Sequence, residues 1–122
     1  MAIKRIVTDD TIQLVEGADY IASIAASLED GEVLLKLAGS FRSDTEHELL
    51  DEMMALTTLG LHLTLDLSDV TYISAACLQV LLTIQQKMDD QERGTLLLTN
   101  LSNTVAEALE KTGLSELLMI DE

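Results

Sequence analysis

The sequence predicts an α/β fold, a mixed β-sheet with helices packed against it, and three observations support this. Residues 63–67 alternate apolar and polar side chains, which is the period of a β-strand. From Ala75 onward the apolar residues change to a helical spacing, with Leu78 and Leu81 on the buried side. Residues 95–100 contain a continuous apolar run, which is typical of a strand covered on both faces. Strands that alternate with helices in this order indicate a layered sheet with helical connections.

The composition limits the class of protein. A chain of 122 residues has the size of one compact domain. Aromatic residues make up only 2% of the chain, so the core has to consist of aliphatic side chains, and little remains for stacking on bases or sugars. A net charge of −15 repels phosphate backbones and anionic lipid, which argues against direct binding of nucleic acid. The expected partners are basic proteins or basic patches on proteins, although an acidic surface also serves solubility.

Cysteine content and hydropathy indicate a compartment. The single cysteine, Cys77, cannot form an internal disulfide, which is compatible with a reducing cytoplasm. The basic residues Lys4 and Arg5 are not followed by a long apolar stretch, so no signal peptide is expected. No run approaches the ~18 consecutive apolar residues that a spanning helix needs. We therefore expect a soluble, cytoplasmic protein that reaches a membrane only through a partner.

The first part of the chain is predicted to be mainly β-structure. Residues 1–19 alternate weakly and contain Asp9 and Asp10 where a hairpin turn would lie, which predicts an N-terminal extension in the form of a β-hairpin. Residues 20–28 fit either a strand or a helix. Residues 32–39 form the clearest early strand. Two alternatives stay open for the extension, which would either form the edge of a homodimer or cover the sheet.

Two segments resemble capping boxes, in which a hydroxyl and a Glu carboxylate satisfy the free backbone amides of a helix start. Residues 43–46, Ser-Asp-Thr-Glu, predict the start of a helix that ends near Gly60. Residues 104–107, Thr-Val-Ala-Glu, predict the start of another helix that stops at Gly113. Residues 114–120 are then expected to form a short turn and a last strand.

A polar segment separates the central strand from the helix that follows it. The alternation stops at residues 66–72, which are mainly small and polar, so this segment is predicted to be a loop. Ser68 and Thr71 are expected to bond their own backbone in turns. Ser74 stands at the boundary with the helix, where its hydroxyl can cap the first amides.

Two matches flank the start of this helix and indicate a family. Residues 66–73 read Asp-Leu-Ser-Asp-Val-Thr-Tyr-Ile, and residues 78–82 read Leu-Gln-Val-Leu-Leu. Both resemble the centre of a STAS domain, the fold of anti-sigma factor antagonists and of the cytoplasmic domains of sulphate transporters. Between the matches the family has Asp-Ser-Ser-Gly, whereas residues 74–77 of this chain read Ser-Ala-Ala-Cys. The second Ser of that motif is the phosphoacceptor in phosphorylated members, so Ala76 stands in place of the regulatory hydroxyl.

The resemblance implies the STAS (SpoIIAA-like) fold, an α/β arrangement in which a mixed β-sheet has helices packed mainly on one face. It favours a strand for residues 20–28, paired through a turn at residues 29–31 with the next strand. It divides the chain into an N-terminal extension, residues 1–19, and a STAS-like domain, residues 20–122. Family members usually continue with one more helix, so the C-terminal helix is expected to be truncated and the N-terminal strands to be additional.

The resemblance also implies a partner-binding surface at the loop and the helix start. Transferred residue by residue, this surface consists of Asp69, Thr71, Ser74, Ala75, Ala76, Cys77 and Gln79. Ser74 is also a candidate phosphoacceptor, because the amides at a helix start stabilise a dianion, although it occupies the position of the family Asp. Tyr72 matches a family Phe or Tyr and is expected to be a buried ring.

Cys77 replaces the family glycine in the first turn of the helix, where it would add bulk at the point of a partner's approach. A thiol near a helix N-terminus can have a lowered pKa and become reactive. Burial as a small hydrophobic side chain is the favoured alternative.

No catalytic or metal-binding pattern accompanies these residues. His47 and His62 are the only histidines, and neither has the Cys or carboxylate spacing of a metal site. We expect His47 on an exposed helix face and His62 at the entry of the central strand. No Ser-His-Asp order, Gly-x-Ser-x-Gly motif or P-loop occurs. The chain is therefore expected not to be an enzyme and to need no metal or cofactor.

The resemblance favours a bacterial signalling protein that regulates transcription by binding another protein. In the family, anti-sigma factor antagonists dock on a kinase-like anti-sigma factor, and phosphorylation of the loop serine ends the contact. With Ala76 in that position, we expect constitutive binding or regulation elsewhere. An alternative is a STAS subunit that braces the ATPase of an ABC-type lipid transporter. A sensor of nucleotides or small ligands is a third hypothesis, which the charge of −15 disfavours for an anionic ligand.

Overall fold

The computed structural model describes residues 3–8, 11–16, 19–92 and 94–121. Its strands are β1 (Lys4–Thr8), β2 (Thr11–Glu16), β3 (Asp19–Glu29), β4 (Glu32–Phe41), β5 (His62–Ile73), β6 (Leu96–Thr99) and β7 (Ile120–Asp121). Its helices are α1 (Glu46–Thr57), α2 (Ala75–Gln91) and α3 (Asn103–Thr112), with short 3-10 helices at Ser43–Thr45 and Leu114–Glu116. The strands form one continuous sheet in the order β1-β2-β3-β4-β5-β6-β7. The predicted α/β class with a mixed sheet is confirmed.

The direction of the strands determines where the helices lie. Neighbours from β1 to β4 are antiparallel, and neighbours from β4 to β7 are parallel. Each parallel connection contains one helix. Crossovers between parallel strands are right-handed, and here each one advances by one strand in the same direction, so α1, α2 and α3 lie on the same face of the sheet. The prediction that the helices pack mainly on one face is confirmed.

Burial along the strands agrees with this one-sided arrangement. Leu63, Leu65 and Leu67 in β5 are fully buried, whereas Thr64 and Asp66 between them are partly exposed. Strand β4 alternates in the same way over its first half. The leucines face the helices, and the polar side chains lie on the open face of the sheet.

Strand β6 differs from its prediction. Leu96 and Leu98 are buried, but Leu97 between them is partly exposed. The expectation of a strand covered on both faces is wrong, because the helices form a single layer and leave the other face of β6 open to solvent.

Strand β5 is longer than predicted and includes residues 66–72, for which a loop was expected. Its register with β4 shifts twice, and at each shift β5 contains one more residue than β4. The buried positions in this half of the strand are therefore three apart, at Leu67, Val70 and Ile73. The prediction of a loop is wrong because these bulges end the alternation in the sequence while the strand itself continues.

Neither capping box forms as predicted. Helix α1 follows a 3-10 helix, and its N-cap Thr45 makes no side-chain cap bond, because the Thr45 hydroxyl donates instead to the Arg42 carbonyl at 2.7 Å. Helix α3 has its N-cap at Ser102, two residues before the predicted Thr104. The Ser102 hydroxyl accepts the Val105 amide at 3.3 Å, so an earlier residue fills the capping role.

The strand predicted for residues 20–28 is confirmed as β3. It forms a hairpin with β4, in which Glu29 lies opposite Glu32. Asp30 and Gly31 form the turn, with φ of 50° and 80°. Two consecutive positive φ values are typical of the type I′ turn, which favours an Asp-Gly pair.

The N-terminal strands extend the sheet. Strand β1 pairs antiparallel with β2 along its whole length, ending with Thr8 opposite Thr11, and β2 pairs with β3. Asp9 and Asp10, where the sequence predicts the turn, lie outside the described residues. Because the extension adds two strands to the edge of the sheet, the alternative that it covers the sheet is wrong.

The remaining predictions concern single positions. His47 is exposed on α1, and His62 is the first residue of β5, as expected. Helix α1 ends at Thr57, close to Gly60, and α3 is capped by Gly113. No helix in the described part of the chain is long and apolar enough to cross a membrane.

Candidate partner-binding site

The end of β5 and the first turn of α2 form the candidate partner-binding site, and Ser74 joins the two. The Ser74 amide donates to the Phe41 carbonyl at 2.9 Å, which ties the start of α2 to the end of β4. The Ser74 hydroxyl accepts the Cys77 amide at 3.1 Å. Ser74 has extended backbone angles, as an N-cap residue requires. Its predicted capping role is confirmed.

The same geometry bears on Ser74 as a candidate phosphoacceptor. Its relative exposure is only 7%, and its oxygen already serves as the cap. A phosphoryl group on this oxygen would have to displace the cap and enter a closely packed space. Transfer to Ser74 therefore requires local opening of the first turn of α2.

Replacement of Ser74 by alanine is expected to lower the free energy of unfolding by about 1 kcal/mol, because the Cys77 amide loses its acceptor. Urea denaturation followed by circular dichroism measures this. Ser27→Ala, at an exposed position of β3, is the matched control and should leave the midpoint unchanged. Equal midpoints for the two variants would show that the cap contributes nothing.

The Cys77 thiol faces the core. It is fully buried, and its Sγ lies 3.4 Å from the Arg42 carbonyl oxygen and 3.7 Å from the Thr45 hydroxyl. Burial raises the pKa of the Cys77 thiol, against the opposing effect of hydrogen bonds with Ser74 and Thr45. The predicted burial is confirmed, and the alternative of a lowered pKa is wrong. The expectation of added bulk at the surface is also wrong, because the side chain points inward.

The Arg42 carbonyl joins three groups around the helix start. It accepts the Thr45 amide at 2.9 Å, the Thr45 hydroxyl at 2.7 Å and the Cys77 thiol at 3.4 Å. The Arg42 guanidinium lies 2.6 Å from Asp44 and 3.6 Å from Glu16 of β2. The hydrogen bond with Asp44 raises the pKa of Arg42. Sequence reasoning missed this residue, since a backbone carbonyl that accepts side chains leaves no sequence signal.

The solvent-facing part of the site is small and uncharged. Ala75 and Gln79 are exposed on α2, Ala76 is partly exposed, and Thr71 is exposed near the end of β5. Tyr72 is 51% exposed, so the expectation of a buried ring is wrong. The second bulge of β5 is the cause, because it gives Ile73 the inward position next to Phe41 of β4.

Asp69 is the charged residue of the predicted set and lies on the open face of the sheet, two residues before Thr71. Its carboxylate is 3.1 Å from Lys36 Nζ, and this hydrogen bond raises the pKa of Lys36. Burial raises the pKa of nearby Asp66, but hydrogen bonds from the Ser68 amide and hydroxyl and from Asn100, with the charge of Lys36, bring it below its usual value. Four strand residues, 70–73, separate Asp69 from Ser74, a distance of at most about 17 Å along an extended strand.

The seven predicted site residues therefore fall into three groups. Thr71, Ala75, Ala76 and Gln79 offer side chains to solvent, Ser74 and Cys77 support the helix start from within, and Asp69 lies on the open sheet face. The structure adds Tyr72 to the first group. We call Thr71, Tyr72, Ala75, Ala76 and Gln79 the neutral surface.

The neutral surface stands out in a strongly acidic chain. No charged residue occurs between Asp69 and Lys87, although the net charge of the chain is −15. Helix α2 also has no acidic residue in its first turn, where the helix dipole would favour one. Within the described residues, no group of His, Cys, Asp and Glu is arranged to hold a metal ion. The arrangement presents small uncharged side chains, one hydroxyl, one amide and one phenol ring to solvent.

Comparison with known proteins identifies the family of this chain. The family model described as "Mlab, STAS domain" matches residues 24–120, from β3 to β7. No curated protein matches the sequence. The match begins within β3, so strands β1 and β2 lie outside it.

Solved structures share the fold. A Thermotoga maritima protein assigned as an anti-sigma factor antagonist is 20% identical with a TM-score of 0.69, and covers 81% of this chain and 86% of its own. An anti-sigma factor antagonist from Mycobacterium paratuberculosis is 17% identical with a TM-score of 0.70, covering 81% and 84%. The antagonist SpoIIAA in its unphosphorylated form is 13% identical with a TM-score of 0.63, covering 81% and 88%. From the family match over most of its length and the fold it shares with these structures, the chain belongs to the STAS domain family.

Proposed function

We propose that this chain is a non-enzymatic regulatory protein that binds a partner protein through the neutral surface. The partner we propose is a kinase-like anti-sigma factor, met in the cytoplasm, so that the chain acts as an anti-sigma factor antagonist. The observation that carries the proposal is the uncharged, partly apolar face at the start of α2 in a chain of net charge −15. Such a face loses little hydration energy on burial, whereas each acidic side chain would need a partner charge.

The residues at the helix start support binding without a phosphorylation switch at this position. Ala75 and Ala76 carry no hydroxyl, and the Ser74 hydroxyl is occupied as the cap. Hydrogen bonds of Ser74 and Cys77 hold the first turn of α2 from within, which favours a surface organised before a partner arrives. Binding is then constitutive or is controlled through the partner.

A second candidate is a STAS subunit that braces the ATPase of an ABC-type lipid transporter. The observation that favours it is that Ala75 and Ala76 are followed by the buried Cys77. A helix start without a reactive or modifiable side chain at its surface suits a permanent interface. The two candidates use the same face of the molecule. Only the identity of the bound protein separates them.

Ala76→Asp is expected to weaken capture of the partner at least about tenfold, because it buries an uncompensated charge in the contact. Aspartate in the first turn of α2 is compatible with the helix dipole, so the fold should be retained. The measurement is an affinity pull-down from the native host, quantified by mass spectrometry. Ala55→Asp, the same change at an exposed position of α1, is the control.

The outcomes separate the candidates. Capture of a kinase-like anti-sigma protein by the wild type and by Ala55→Asp, but not by Ala76→Asp, supports the antagonist. Capture of an ABC ATPase with the same variant pattern supports the transporter subunit instead. Equal capture by all three proteins would remove the neutral surface from consideration.

A further inference from the structure

Strand β1 forms one edge of the sheet and contributes no buried side chain. All five of its residues are exposed, including Ile6 at 46% and Val7 at 64%. The opposite edge, β7, has only two residues, so β1 is the longer free edge. A strand with a free edge presents unpaired amides and carbonyls that another strand can complete.

The charge of β1 is opposite to that of the chain. It contains Lys4 and Arg5 and no acidic residue, whereas the whole chain has a net charge of −15. Two copies of the chain repel each other over most of their surface. Approach along β1 keeps acidic side chains of the strand out of the contact, and the charge of Arg5 is already balanced by Glu52 of its own chain.

We propose that β1 is the contact surface for a second copy of this chain, through antiparallel pairing of β1 with β1. Pairing centred on Ile6 places Ile6 opposite Ile6, Arg5 opposite Val7 and Lys4 opposite Thr8. No two like charges lie directly opposite each other in this register, and all five residues are paired. The two Arg5 side chains are diagonal neighbours, and each has a Glu52 carboxylate beside it. The two sheets join into one continuous sheet across a two-fold axis, which is the commonest symmetry of homo-oligomers.

Charge complementarity with α1 supports this register. Within one chain, the Arg5 guanidinium forms an ion pair with the Glu52 carboxylate of α1. Val7 and Glu52 line the same apolar cleft of about 190 Å³, between the hairpin and α1. In the proposed pairing, Arg5 of one copy lies opposite Val7 of the other and therefore faces the Glu52 beside it. Arg5, which forms an ion pair with Glu52 of its own chain, is therefore placed to form one with Glu52 of the second copy as well.

This proposal does not rest on the proposed partner-binding function. The pairing surface lies in strands that the family match does not include, and the neutral surface lies on β5 and α2. Failure of either proposal leaves the other unaffected.

Sedimentation equilibrium of the full chain, at a salt concentration that screens the net charge, tests the proposal. The wild type is expected to show a monomer–dimer equilibrium. Ile6→Lys places two like charges opposite each other at the centre of the contact and should raise the dissociation constant at least about tenfold. Leu59→Lys, an equally exposed leucine after α1, is the matched control and should leave it unchanged.

A charge exchange tests the register independently. Arg5→Glu alone should weaken the dimer, and the double variant Arg5→Glu with Glu52→Arg should restore it. Circular dichroism confirms that each variant is folded. A wild type that stays monomeric at all concentrations, or a dimer that Ile6→Lys does not weaken, would overturn the proposal.

Discussion

Replacing Gly39 by alanine is expected to destabilise the protein by more than about 2 kcal/mol. Gly39 has φ of +93°, a conformation that residues with a Cβ rarely adopt. A Cβ at this position would also collide with backbone atoms of β3, approaching the Ala22 Cα to 2.9 Å and the Ile21 carbonyl oxygen still more closely. Backbone atoms in the middle of a sheet cannot move aside as a flexible side chain can.

Gly31→Ala separates the two causes. Gly31 also has a positive φ, of +80°, but a Cβ there would meet nothing within 4 Å. Its expected cost is therefore that of the backbone conformation alone, about 1 kcal/mol. Free energies of unfolding from urea denaturation provide the comparison. Equal losses for the two variants would show that the contact with β3 is unimportant.

Replacement of Phe41 by alanine should cost about 3 to 5 kcal/mol. Phe41 is the only phenylalanine of the chain and is fully buried at the end of β4. Its carbonyl accepts the Ser74 amide, so a cavity at this point also loosens the start of α2. We expect a large fall in thermal midpoint together with weaker capture of the partner.

Tyr72→Ala is the matched control for this prediction, because it removes an aromatic ring that is 51% exposed. It should change the free energy of unfolding by less than about 1 kcal/mol. If the neutral surface is the contact, Tyr72→Ala nevertheless weakens capture. A loss of stability as large as that of Phe41→Ala would contradict the exposed position of the ring.

Much of the fold could be predicted because local patterns and tertiary packing agree. The alternation in residues 63–67 and the helical spacing after Ala75 each correspond to an observed element, and so does the turn at residues 29–31 that the family resemblance implied. The end of β5 could not be predicted from alternation. Its bulges depend on register with β4, which is a property of the pair of strands and not of either sequence alone.

The candidate site could be predicted only where a residue contacts residues that are close to it in the sequence. Ser74 caps an amide three residues away, and sequence spacing suffices to expect this. The exposure of Tyr72 and the contacts of the Arg42 carbonyl depend on β4 and α2 meeting across the fold. The uncharged run between Asp69 and Lys87 was visible in the sequence and is the signal that would have drawn attention to Tyr72.

The order of the strands affects how the chain reaches its native state. Each strand pairs with the strand that precedes it in the sequence, so no pairing has to wait for a distant segment to be synthesised. The antiparallel pairs from β1 to β4 are joined by short connections and can form early, whereas each parallel pair from β4 to β7 has to close a crossover that contains a helix and is expected to form more slowly. The strand order also places β1 and β7 six strand spacings apart, about 29 Å, so the two edges of the sheet cannot pair with each other within one molecule.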